Sequence, residues 1–376
     1  MDASLTLPAP RLVASDSALA ECCAACARVP RIAFDTEFIR TDTFHPKLGL
    51  IQLCDGDTVW LVDPLAIGDF APLVDLLRNP RVIKVFHSCS EDLEVLQGVF
   101  GTLPSPLFDT QVAAAFGGLG FSRGYARLVE AVLGIALDKH ETRSDWLQRP
   151  LTEAQCRYAA EDVHYLIQVY DHLLATLDAE RLGWIAEDME ELLAGAGENA
   201  DLARYYLRIK GAWKLPVADQ YVLARLAEWR ERLARELDKP RGHIVPDGVL
   251  VEAVRLWPLS RNQLFRVEGF HPRSARQFGD QLLGLVEALA GEPVPADFLA
   301  IAPPLEREAR QLLAGLRGVI DKRAEALGLA PELLARKRDL EALVRSVMEG
   351  HPQLPPALSR GWRHAAIGQE LLAHVS

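Results

Sequence analysis

Two rhythms of apolar and polar positions run through the first half of the chain. Residues 31–38 (RIAFDTEF), 48–54 (LGLIQLC), 57–63 (DTVWLVD) and 82–87 (VIKVFH) are short, rich in β-branched and aromatic side chains, and bounded by Gly, Pro, Asn or Asp. That pattern predicts strands. Residues 69–78, 90–100, 109–116, 123–133 and 152–177 instead repeat apolar positions three and four apart, which predicts helices. Three strands close together before the first of these helices suggest an antiparallel meander, and the fourth, reached through a helix, can lie parallel to one of them. The expected result is a mixed-sheet α/β domain.

The strand rhythm disappears in the second half, where 217–237 and 305–327 are helical by period and Pro-rich stretches such as Gly291–Pro295 and Pro303-Pro304 interrupt. After the acidic run Glu187-Asp188-Met189-Glu190-Glu191, the stretch Ala194-Gly195-Ala196-Gly197-Glu198-Asn199 is small and polar enough for a linker. The organisation expected is an α/β domain over 1–200 followed by two small all-α domains, 208–295 and 300–376. At about 80 residues each, both fall in the ordinary domain range.

A chain of 376 residues, 49% apolar and 25% charged, exceeds what one core usually holds, which agrees with several domains. No apolar run approaches the length that spans a bilayer, and the N-terminus lacks the basic-then-apolar pattern of a signal peptide, so a cytoplasmic protein is expected. Six cysteines spread over such a chain read as free thiols. Cys22-Cys23-x-x-Cys26 has no second ligand pair at comparable spacing, and reads as small apolar residues on one helix rather than as a zinc site.

The net charge of −11 speaks at first against a polyanionic partner. Its distribution changes that picture. Residues 1–205 carry 16 Lys and Arg against 31 Asp and Glu, whereas residues 206–376 carry 25 against 21. A carboxylate-rich metal site would contribute to the first imbalance, and a basic surface able to hold a polyanion would contribute to the second.

The candidate chemistry lies in the acidic half. Asp35 and Glu37 stand two apart on a predicted strand, so both carboxylates face one side and can meet one ion. Asp92 follows the strand 82–87, where Ser90 could cap a helix and put Asp92 in its first turn. Tyr158 and Asp162 are four apart on a predicted helix and share a face, while Glu161 points about a hundred degrees away. Four carboxylates without matching His or Cys suit a hard ion such as Mg²⁺ or Mn²⁺. A pair of such ions, about 3.5–4 Å apart, serves in-line phosphoryl displacement. Tyr158 would then orient, or deprotonate, the attacking water.

Asp-x-Glu on a first strand, an Asp after a strand and helix start, and Tyr-x3-Asp on a late helix resemble the three exonuclease motifs of the DEDD superfamily, tyrosine subclass. Phe34–Arg40, His87–Leu93, Phe108–Gln111, Ser144–Thr152 and Tyr158–Val163 resemble the ribonuclease D family in particular. Tyr206–Lys214, Trp229–Arg232 and Lys239–Arg241 are similar to the entry and first helix of an HRDC domain, with Ala335–Asp339 and Gly361–Arg363 similar to a second, divergent one. The resemblance implies a ribonuclease H-like mixed-sheet exonuclease domain followed by two all-α HRDC domains. It implies Asp35, Glu37, Asp92 and Asp162 as ligands of two divalent ions, Mg²⁺ or Mn²⁺, and Tyr158 as the residue that positions water. It implies release of nucleoside 5′-monophosphates from RNA, especially tRNA precursors with 3′ extensions, with no membrane and no obligate protein partner. A DNA exonuclease with the same carboxylates, or an inactive RNA-binding module on this fold, are the competing readings.

For RNA contact, the basic residues Lys139, Arg143, Lys210, Lys214, Lys239 and Arg241 are the expected set, joined by Arg230 and Arg235, with Tyr206 and Trp213 as stacking platforms or core. Asp109, Gln111 and Asp145 could also approach the site. Gly117-Gly118-x-Gly120 follows a helix and lacks a P-loop lysine, so it reads as a turn between helices.

Overall fold

The computed structural model describes residues 7–137, 144–197 and 202–375. The chain divides into two compact units, one made of Met1–Ile39, Leu48–Gly197 and Leu305–Ser376, the other of Arg40–Lys47 and Glu198–Pro304.

The first unit is built on a six-stranded sheet, ordered β1 (Arg11–Val13), β4 (Val59–Val62), β3 (Lys47–Cys54), β2 (Arg31–Ile39), β5 (Ile83–Phe86) and β6 (Leu107–Asp109). β3 and β4 pair antiparallel, while β2, β5 and β6 run parallel with Ala33 opposite Val85 and Val85 opposite Phe108. The sheet is therefore mixed, as the pattern of strands and helices requires. The two strands the sequence pattern does not reveal, β1 and β6, are its edges. Each has three residues, too few to show a period.

Helices α1 (Asp16–Cys26), α2 (Ala71–Arg78), α3 (Ser90–Phe100), α4 (Thr110–Phe116), α5 (Tyr125–Leu133), α6 (Glu153–His164), α7 (Leu166–Thr176) and α8 (Ala179–Gly197) complete this α/β part. Cys22, Cys23 and Cys26 are buried free thiols on α1. The segment expected as one helix over 152–177 is two, parted at Tyr165, because the apolar period continues across the break and hides it. The Ala-Gly stretch expected as a linker is helical through Gly197, the end of α8. Gly117, Gly118 and Gly120 do form the turn between α4 and α5, the last two with φ of 72° and 110°.

The same unit holds the helices α14 (Arg307–Leu327) and α16 (Lys337–Met348) with their short neighbours. They share one continuous core with the sheet. Trp362 stacks on Trp184 at 4.8 Å, its indole N–H donates to Asp188 (2.8 Å), and Arg363 clasps the same carboxylate in a bidentate pair. Part of the acidic run on α8 is thus consumed in docking.

The second unit has its own core around α9 (Val217–Glu236), α10 (Arg241–Ile244), α11 (Asp247–Arg255), α12 (Arg261–Leu264) and α13 (Pro272–Leu289). Phe44, from the segment between β2 and β3, packs into it.

Candidate active site

Strand β2 sits between β3 and β5 in the sheet and carries Asp35 and Glu37 on one face. From α6 comes Asp162, and one oxygen from each of these three carboxylates lies within 4.8 Å of the others. The helix start is fixed by a reciprocal cap in which Thr152 Oγ1 accepts from Gln155 N (3.1 Å) and Gln155 Oε1 accepts from Thr152 N (2.9 Å). The loop before it is anchored by Arg149, whose guanidinium grips Asp63 (2.6 and 2.7 Å) and the Gly49 carbonyl (2.7 Å). Gly49 is obligatory there: a Cβ would stand 2.7 Å from both the Cβ and the backbone oxygen of Trp146.

Asp92 arrives from the first turn of α3. Its Oδ1 accepts from both Thr36 N (3.1 Å) and Thr36 Oγ1 (2.5 Å), which ties it to the residue between Asp35 and Glu37. Ser90 is the first residue of α3 rather than its cap. The preceding turn is held instead by Asp109, which accepts from Ser88 N (3.0 Å), Cys89 N (2.9 Å) and Gln111 N (2.7 Å). Those bonds keep Ser88 in the left-handed region at φ 60°. Asp109 is therefore a buried strut of the site, and Asp145 likewise accepts from the local Leu147 N (3.0 Å). Gln111 donates to the Arg123 carbonyl (3.2 Å).

The four carboxylates line a cavity of about 240 Å³ together with Tyr158 and Tyr125. Burial and mutual repulsion push them out of the ordinary carboxylate range. For Asp35 the cause is burial first, then Asp92, Asp162 and Glu37. Glu37 is raised to about 9 by burial and then by Asp162 and Asp92. Burial lifts Asp92 and Asp162 to about 7, against the pull of hydrogen bonds from Thr36 and Tyr158 respectively. Among the described residues, no Lys or Arg lines this cavity. Such a set is poorly ionised alone and gains most from a divalent cation, whose charge inverts the local preference.

Tyr158 shares the cavity with Asp162, and burial followed by the carboxylate charges raises its phenol well above the ordinary value. A phenol so shifted orients a water better than it deprotonates one. Glu161 turns to Arg157 (3.2 Å), and its backbone carbonyl accepts from the Tyr125 hydroxyl (2.9 Å). Tyr125 and Thr36 belong to the site without having been expected there. Tyr125 opens a helix 33 positions before Tyr158 and carries no local signature.

Among the basic residues, Arg230 is completely buried, donating to the Val245 carbonyl (2.9 Å) and pairing with Asp247 (2.6 Å), so it is withdrawn from the RNA-contact set. Tyr206 is core, stacked on Phe298, whereas Trp213 is exposed with Lys214 over its ring at 5.6 Å. Lys210 and Lys214 are exposed, Lys239 is half-buried, and Arg241 pairs with Glu231. Lys139 and Arg143 lie outside the described residues.

A mixed sheet that presents a clustered acidic cavity on its inner strand defines a nuclease-like catalytic domain, and residues 10–178 match the 3′-5′ exonuclease family. Residues 219–286 match the HRDC domain. The chain is 45% identical to ribonuclease D of Pseudomonas paraeruginosa over 98% of both sequences, and 38% identical to ribonuclease D of Escherichia coli over 96% of this chain and 97% of the other. The crystal structure of Escherichia coli RNase D, an exoribonuclease involved in structured RNA processing, superposes with a TM-score of 0.89 at 37% identity, covering 97% of this chain and 98% of that one. The chain belongs to the ribonuclease D family and is a 3′→5′ exoribonuclease. That membership, with the acidic cluster, implies use of divalent metal.

Proposed function

We propose that the chain removes nucleotides singly from RNA 3′ ends by two-metal-ion hydrolysis and releases nucleoside 5′-monophosphates. The observation that carries this reading is the convergence of Asp35, Glu37 and Asp162 within 4.8 Å, with Asp92 tied to the same strand. All-oxygen donors suit Mg²⁺ or Mn²⁺. Two such ions would supply an activated water and charge stabilisation for the leaving oxygen. Around them the chain's own groups divide the work. The four carboxylates bind, Thr36 aims Asp92, and the Tyr158 hydroxyl orients the attacking water in line with the terminal phosphodiester.

Precursors of tRNA with 3′ extensions are the proposed substrates, in the cytoplasm; the family resemblance and the RNA-processing relative support this. Lys139, Arg143, Lys210, Lys214, Lys239 and Arg241 are the proposed backbone contacts. The domain division proposed is 1–200, 208–295 and 300–376, the last an HRDC-like repeat. Supporting it, a helix of 20 residues, a four-residue helix and one of nine (α9, α10, α11) are echoed by helices of 21, four and 12 at Arg307–Leu327, Pro331–Leu334 and Lys337–Met348.

Digestion of 3′-labelled RNA and a matched DNA, with Mg²⁺, Mn²⁺ or chelator, tests the reading. Metal-dependent release of 5′-mononucleotides from RNA is expected. Activity that survives chelation, or larger fragments as first products, would refute it.

A further inference from the structure

The place of Tyr158 on α6 does not by itself fix where its hydroxyl points. A helical tyrosine has more than one accessible well about its first side-chain bond, and the hydroxyl, at the far end of the ring, magnifies any tilt. A neighbouring ring limits that freedom. Trp146 packs beside Tyr158 with ring centres 6.1 Å apart and planes inclined by 40°. Tyr158 is half-buried and lines the carboxylate cavity, whereas Trp146 is only 2% exposed and is not among the described lining residues.

Trp146 belongs to no helix or strand, yet the segment that carries it is tied down on both sides. On one side Gln155, buried in the first turn of α6, donates through Nε2 to Ser144 Oγ (2.9 Å) and to the Asp145 carbonyl (3.0 Å). On the other, the Arg149 guanidinium makes five hydrogen bonds, as many as it has N–H donors. Two go to the Asp63 carboxylate (2.6 and 2.7 Å), one to the Gly49 carbonyl (2.7 Å), and one each to the carbonyls of Trp146 (2.9 Å) and Gln148 (2.7 Å). Gly49 lies in β3 and Asp63 directly follows β4, so this clamp registers Trp146 against the sheet. The same sheet carries Asp35 and Glu37 on β2. Tyr158 is thereby referred to the carboxylates twice, once through α6 and once through Trp146.

We propose that Trp146 is a positioning residue for the reaction: clamped to the sheet by Arg149, it fixes the Tyr158 ring so that the hydroxyl is aligned on the attacking water before the substrate arrives. The proposal rests on the reading that Tyr158 orients that water. Alignment acquired in advance is not lost on the way to the transition state, so it shows in kcat rather than in KM or in metal affinity. Loss of a merely structural contact would instead loosen the carboxylates together with the tyrosine.

The test is single-turnover hydrolysis of 3′-labelled RNA with Mn²⁺ by the full chain, comparing the wild type, Trp146→Phe, Tyr158→Phe and the double variant. Trp146→Phe is expected to lower the rate constant at saturating RNA about tenfold. KM for RNA and the Mn²⁺ midpoint should stay within about twofold of the wild type. In the Tyr158→Phe background the further loss should vanish, because the group that Trp146 aligns is gone. Asp63→Asn keeps the shape but removes the charge gripped by Arg149, and should show the same pattern with a loss of about threefold; it carries the test if Trp146→Phe does not fold. Losses that multiply in the double variant, a Mn²⁺ midpoint that shifts along with the rate, or an unchanged rate in both folded variants would overturn the proposal. If Tyr158→Phe alone leaves the rate unchanged, the water-orienting reading falls, and the positioning role with it.

Discussion

The carboxylate cavity of the first unit and the arginine-lined cavity of the second, whose charged lining is Arg204, Arg208, Arg235, Arg241 and Glu231, are of similar size, about 240 and 280 Å³, and each brings several like charges together among its described lining residues. They solve the resulting repulsion differently. In the carboxylate cavity no Lys or Arg is among the described lining residues, and burial with nearby carboxylates raises the groups, Glu37 to about 9 and Asp92 and Asp162 to about 7. In the arginine-lined cavity Arg241 is paired with the buried Glu231 and lies over the faces of Phe44 and Tyr205. The first cavity is thus conditional on a cation that displaces protons. The second has an internal counter-charge, Glu231, built into its wall.

The largest effect on the acidic side should come from Tyr158→Phe, which keeps the ring but removes the hydroxyl that orients water. We expect kcat on RNA to fall about a hundredfold with KM little changed. Single-turnover kinetics read this directly, and a fall in KM alone would remove Tyr158 from the chemistry. Thr36→Val should come next. It deletes the hydroxyl that aims Asp92 while leaving the backbone N–H, so metal affinity is expected to weaken about tenfold. Titration of activity against Mn²⁺ measures it; an unchanged midpoint would mean Asp92 is held by α3 alone.

A smaller effect separates the two cavities by pH. Carboxyl groups whose folded values are raised contribute stability that is full below the ordinary carboxylate range, near pH 4, and is lost as pH rises toward about 9. Metal binds the ionised forms and returns that stability. The increase in Tm on adding Mg²⁺ should therefore be larger at about pH 8 than at about pH 6. Arg204→Ala/Arg208→Ala should leave that difference untouched. Equal metal stabilisation at both pH values would contradict the account of the acidic cavity. Smallest of all, Gly49→Ala should cost about 1–3 kcal/mol of stability by pressing on Trp146, seen as a lower denaturation midpoint.

How far the sequence reveals each region follows from how local its determinants are. Asp35 with Glu37, and Tyr158 with Asp162, are readable because strand and helix periods place them on common faces. Thr36 is not readable as a positioning residue, since its partner Asp92 is 56 positions away. Asp109 looks like a site residue because it lies in a family-like segment, yet four backbone N–H groups occupy it in the fold. In the second unit a charged residue on a helix reads as exposed. Arg230 breaks that expectation because Asp247 and the Val245 carbonyl let it be buried.

The central claim, that the four carboxylates form a two-metal site, is tested most directly by calorimetric titration of Mn²⁺ at about pH 8, with a nucleoside 5′-monophosphate present, into the wild type and into Asp35→Asn. The account predicts two ions per wild-type chain and at least one lost, or weakened more than about a hundredfold, in the variant. Identical binding curves for the two proteins would contradict it.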